Sequence, residues 1–92
     1  DQAERAEPLL RQARADLQQS LPEGHWLHGY AALALGECLL KLERLEEAEQ
    51  TLLASLDRLE ESRGADSEEA VRARQTLMEL YKVWGKSGTP DD

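Results

Sequence analysis

Displaced by 42 residues, the 92-residue sequence falls back onto itself. Glu4 meets Glu46, Ala6 meets Ala48, Glu7 meets Glu49, Leu10 meets Leu52 and Leu17 meets Leu59. Farther along, Ala31 meets Ala73, Leu35 meets Leu77, Leu39 meets Tyr81 and Leu42 meets Trp84. The turn-rich stretches Leu21–Gly24 and Arg63–Asp66 coincide as well. A short unit that recurs at a fixed period cannot bury its apolar face alone, so it must stack on its neighbours. That restricts the chain to stacked repeats of one supersecondary unit.

The unit is helical. Ala, Glu, Lys, Leu and Arg make up 53 of the 92 residues, Phe and Ile are absent, and only five residues are β-branched. Strands draw on β-branched and aromatic side chains, so an all-α fold is expected. Four helices are read at about Ala3–Gln19, His25–Leu42, Leu45–Arg63 and from an Asp66 cap to about Trp84. Pro8 lies early in the first, which moves its start toward Glu7. Gly64 suits the left-handed position after the third helix, and Gly85 ends the fourth. Asp66 with Glu69 resembles a capping box. Short links favour antiparallel hairpins. Residues 1–86 are expected to form one domain and 87–92 a disordered tail.

Gly36 lies in the middle of the second helix, where glycine costs about 1 kcal/mol relative to alanine. Close approach of the third helix through Ala48 is the expected reason.

The stretch Ala32-Leu33-Ala34-Leu35-Gly36-Glu37-Cys38-Leu39, followed by Leu45-Glu46-Glu47-Ala48, Leu52 and Ser55-Leu56, resembles a tetratricopeptide repeat. Ala32, the Leu35-Gly36 pair, Leu39 and Ala48 stand where that family places its small and large residues, and Leu52, Leu77 and Tyr81 extend the pattern. The 42-residue period and the linker Ser62-Arg63-Gly64-Ala65-Asp66 are similar to the kinesin-light-chain subtype. The departures are Glu43 in place of a usual Gly, Met78 in place of the helix glycine, and Ser55 in place of Ala. The resemblance implies antiparallel hairpins of about four helices in a right-handed superhelix. Its one complete repeat is about 29–63.

Composition also excludes. Lys and Arg number 11 against 19 Asp and Glu, a net charge of −8. Residues 43–69 alone hold ten acids and three bases. A basic stripe of the kind nucleic-acid binding needs is missing, and anionic membranes are disfavoured for the same reason. The longest apolar run, Tyr30–Leu35, is too short to span a bilayer. The opening Asp1-Gln2-Ala3-Glu4-Arg5 has neither an apolar signal core nor a Met and reads as a position inside a longer, cytoplasmic chain. His25, His28 and Cys38 are too few and too scattered for a structural zinc. Cys38 has no basic partner nearby in sequence, and no glycine-rich phosphate loop is present. No catalysis, cofactor or metal is expected.

A non-catalytic protein–protein interaction or scaffolding module is therefore expected, holding a peptide or helix in a concave groove. The resemblance places Tyr30, Leu33, Glu37, Leu40 and Lys41 on one wall of that groove and Arg72, Gln75, Glu79, Lys82 and Val83 on the other. Members of the family that clamp a terminal carboxylate use Lys, Arg and Asn; Glu37 and Glu79 stand where Asn is expected and would repel such a ligand. The alternatives are a self-associating structural domain, or a regulatory appendage of a larger signalling protein such as a bacterial Ser/Thr kinase. Self-association would use apolar faces left open at the ends, among them Leu9, Leu77, Leu80, Tyr81 and Trp84.

Overall fold

The computed structural model describes residues 2–85, so the expected tail at 87–92 lies outside the described residues. Among them are four α-helices and no strand: α1 (Gln2–Ser20), α2 (Trp26–Lys41), α3 (Leu45–Arg63) and α4 (Glu68–Trp84). α1 continues through Pro8, which lacks the N–H that an interior helix residue donates to the carbonyl four residues back and so costs the ladder one bond, and the later start near Glu7 is not observed.

The caps are local chemistry. His25 Nδ1 accepts from the Leu27 N–H at 3.2 Å and opens α2. α4 is capped by Ser67, whose Oγ accepts from the Ala70 N–H at 3.2 Å, and not by Asp66. The cap thus sits one residue later than expected, and Glu69 turns instead to Arg63 at 3.3 Å. Gly64 has the positive φ expected of it, 97°, but with an extended ψ of 152°. Gly85 is left-handed, with φ 80° and ψ 12°.

Glu43, one period before Gly85, also has a positive φ, 61°. A side chain in this region costs roughly 1–2 kcal/mol. Glu43→Gly is expected to stabilise the protein by about 1 kcal/mol, raising the melting temperature by roughly 4–8 °C. A thermal melt showing a lower midpoint would contradict the strain assigned here.

α2 is the central element and packs on each of the others. Its closest partner is α3. A Cβ built on Gly36 would lie 2.5 Å from Leu52 Cδ2 and 2.6 Å from its Cγ, and one built on Gly29 would lie 2.9 Å from Leu59 Cγ. The pairs run in opposite order along the two helices, so the helices are antiparallel. Ser55 Oγ, fully buried between them, donates to the Gly29 carbonyl at 2.9 Å. Gly36 thus has the close-approach role expected of it, but the side chain in contact is Leu52. Ala48 is also buried, one turn nearer the start of α3. The eight residues of the repeat pattern, Ala32, Leu35, Gly36, Leu39, Ala48, Leu52, Leu77 and Tyr81, are all buried.

The ends of the stack are better covered than the sequence suggests. Leu77, Leu80 and Tyr81 belong to the core cluster and Trp84 packs against it, because α4 lies on α3 and touches α2. Leu9 alone of that group is open, at 72% exposure. α1 buries no residue completely. It is held by the Cys38 thiol donating to the Ala3 carbonyl at 3.1 Å and by ion pairs of Glu7 with Arg44 at 2.7 Å and of Arg11 with Glu47 at 2.7 Å. The Arg11 side chain beside Glu7 holds its carboxyl below the usual range.

Tyr81 ties α4 to α3, its hydroxyl donating to Glu49 Oε2 at 2.7 Å. Burial first, then the neighbouring carboxylate, push its pKa from 10.0 up to about 12. The folded state therefore favours the neutral phenol. The stability this confers is complete below the unfolded value of 10.0 and is lost as pH climbs through about 12. Melting temperatures across this window should fall more steeply for the wild type than for Tyr81→Phe; parallel profiles would contradict the assignment.

Candidate functional site

α2 and α4 lie side by side and run the same way, since Glu37 meets Arg72 and Thr76 while Leu40 and Lys41 share a cleft with Glu79 and Val83. This cleft has a volume of about 500 Å³ and is open along one side. A second depression of about 340 Å³ continues it past Arg72 to Trp26, Tyr30, Glu68 and Glu69. Together they form one groove with Arg72 as a shared wall.

The Glu37–Arg72 pair crosses the middle of the groove. Arg72 Nε donates to Glu37 Oε2 at 2.8 Å and its second nitrogen to Oε1 at 2.6 Å, a bidentate fork. Thr76 Oγ1 adds a bond to Glu37 Oε2 at 3.3 Å. The carboxylate raises the pKa of the guanidinium, which stays charged. At the Trp26 end, Tyr30 meets Trp26 edge-on with ring centroids 5.9 Å apart. Arg63 lies over the indole at 4.8 Å.

Of the residues expected in the groove, Tyr30, Glu37, Leu40, Lys41, Arg72, Glu79 and Val83 line it. Leu33 does not. It is fully buried in the core with Ala73 and Leu77, covered by this chain's own helices. Gln75 and Lys82 are exposed but lie off the groove, because residues 72, 76, 79 and 83 form the stripe of α4 that faces it and residues 75, 78 and 82 form the next stripe round. Sequence reasoning missed Trp26, Glu43, Glu68, Glu69 and Thr76. Helical spacing signals two of them: Trp26 stands one turn before Tyr30, and Thr76 one turn after Arg72.

Other side chains with chemical potential serve the scaffold. His28 Nε2 donates to the Pro22 carbonyl at 2.8 Å, and His25 is a cap. Cys38 is buried, and burial pushes its thiol up, away from the thiolate a nucleophile needs. Among the described residues no group of three or more His, Cys, Asp or Glu is placed to hold a metal ion, and no helix is long and apolar enough to cross a membrane. Among the described residues, depressions of comparable size also lie away from the groove. One of about 570 Å³ lies between α1 and α2 around Ala3, Ala6, Leu10 and Cys38. Another, of about 530 Å³, lies beside Glu23, His25, Asp57 and Arg58.

No family model matches the chain, and no curated protein or solved structure matches it.

Proposed function

We propose that the protein is a non-catalytic interaction module of the tetratricopeptide kind, in a cytoplasmic setting, and that it holds a peptide or helix in the α2/α4 groove. One observation carries this reading. Several residues that face each other across the groove stand one repeat period apart: Tyr30 and Arg72, Glu37 and Glu79, Lys41 and Val83. The two walls are thus the same positions of one unit used twice. That relation is what a stacked-repeat binding surface requires. The groove also leaves Tyr30 39% and Val83 56% exposed, apolar area placed for contact. The buried glycine seam between α2 and α3 supports the hairpin part of the same reading.

A peptide library selected against the protein tests this. Selected peptides should bind the wild type and lose about tenfold or more in affinity, about 1.4 kcal/mol, on the Tyr30→Ala/Val83→Ala double variant with its helical content intact. Peptides bound equally by both proteins would contradict the groove assignment. Loss of a concentration-dependent dimer alone, read by sedimentation, would transfer the function to self-association.

A further inference from the structure

Resting on that reading, we infer that the occupant of the α2/α4 groove is a basic, amphipathic polypeptide segment: apolar side chains flanked by arginine or lysine. The charges of the walls point there. Glu37, Glu43, Glu68, Glu69 and Glu79 line the groove against Lys41 and Arg72. Arg72 is engaged by Glu37 and Glu69 by Arg63. Glu43, Glu68 and Glu79 make no ion pair among the described residues, and they lie at both ends of the groove with a single unpaired lining cation, Lys41. An acidic ligand would meet these carboxylates, and the two guanidinium groups at the groove, Arg72 and Arg63, are already engaged by Glu37 and Glu69. A cationic side chain finds an uncommitted acid at either end.

Two independent features sharpen this. First, the chain seats a guanidinium of its own at the Trp26 end: Arg63 lies 4.8 Å over the indole and 3.3 Å from Glu69 Oε1. Arg63 fills that corner, a planar cation on an aromatic face beside a carboxylate, and leaves Glu68 as the uncommitted acid at this end. Second, Glu43 holds a left-handed backbone conformation in which Gly85, one period on, needs no side chain. The strained position places a carboxylate at the groove mouth beside Leu40 and Lys41. Leu40, Val83 and Tyr30 supply the apolar contact between the acids. Exposed ion pairs contribute little affinity, so the apolar contacts supply strength and the acids select the partner.

Three synthetic peptides of about twelve residues, roughly 18 Å as a helix, test the inference. They share one leucine stripe and carry arginine, glutamine or glutamate at the remaining positions. Fluorescence anisotropy with the full chain should give affinities in the order arginine, glutamine, glutamate. The first two should differ by about tenfold at low salt, and the gap should close as ionic strength rises. Glu43→Gly should melt higher yet weaken the arginine peptide several-fold, and Glu79→Gln should weaken it with the melting temperature unchanged; a merely structural role for either residue would not move binding. Equal affinities, or preference for the glutamate peptide, would overturn the charge inference. The groove reading itself would survive if Tyr30→Ala/Val83→Ala still abolished that binding. Binding of every peptide that ignores the double variant, or no binding of any, would overturn both.

Discussion

Gly36→Leu is expected to destabilise the protein by at least about 3 kcal/mol, the upper range for overpacking a close-packed interior. A Cβ alone would come within 2.5 Å of Leu52 Cδ2 and 2.6 Å of Cγ, and the latter is the branch point of a fully buried side chain, not a free end. For a chain of this length such a loss lowers the melting temperature by about 12 °C or more. Alanine at the same site should cost less, because its gain in helix propensity of about 1 kcal/mol partly offsets the clash. Leu52→Ala makes room, so the double variant Gly36→Leu/Leu52→Ala should be more stable than the sum of the single changes by on the order of 1 kcal/mol. An unchanged midpoint for Gly36→Leu would contradict the glycine seam between α2 and α3.

The second large effect is expected at Leu33. Truncation to alanine should cost about 2–5 kcal/mol, because the side chain is fully buried and its removal leaves a cavity in the cluster with Ala73 and Leu77. Val83→Ala, at 56% exposure, should stay within about 0.5 kcal/mol. Both residues are expected groove positions in the sequence, and thermal melts separate them. Equal, small changes would place Leu33 at the surface and contradict its core position.

Leu33 also marks where sequence reasoning reaches its limit. The four helices were legible because Leu and Ala recur at helical spacing and because Gly64, Gly85 and the linker residues punctuate them. Gly36 was legible as a close contact because a mid-helix glycine demands one. Its partner was not, since choosing Leu52 over Ala48 requires the antiparallel register, which periodicity within one helix does not contain. Gly29 was missed for a related reason. Near the start of a helix it reads as boundary punctuation, yet it repeats the Gly36 contact one heptad earlier against Leu59.

The site was legible in part for the same geometric reason. Any residue of α2 that points between α3 and α4 looks the same in sequence whether α4 covers it, as with Leu33, or leaves it open, as with Tyr30. The α4 stripe was placed one position off for Gln75 and Lys82, because 100° per residue leaves adjacent stripes separated by a single step. Glu43 was recognised as a departure from glycine. Its position at the groove mouth depends on how the α2–α3 turn meets α4.

The acidity of residues 43–69 divides in the structure. Glu47, Glu49 and Glu60 are engaged with Arg11, Tyr81 and Arg74, ties that hold α3 to α1 and α4. Glu43, Glu68 and Glu69 face the groove. Part of the charge therefore ties the scaffold together and part lines the groove.

The most direct test of the groove is an amide-resolved NMR titration of the full chain with the arginine-bearing peptide. Shift changes are predicted along facing stripes of α2 and α4, at Tyr30, Glu37, Leu40, Glu43, Glu79 and Val83. Changes centred instead on Ala3, Ala6 and Leu10, or on Glu23, Asp57 and Arg58, would move the site to another depression and contradict the account.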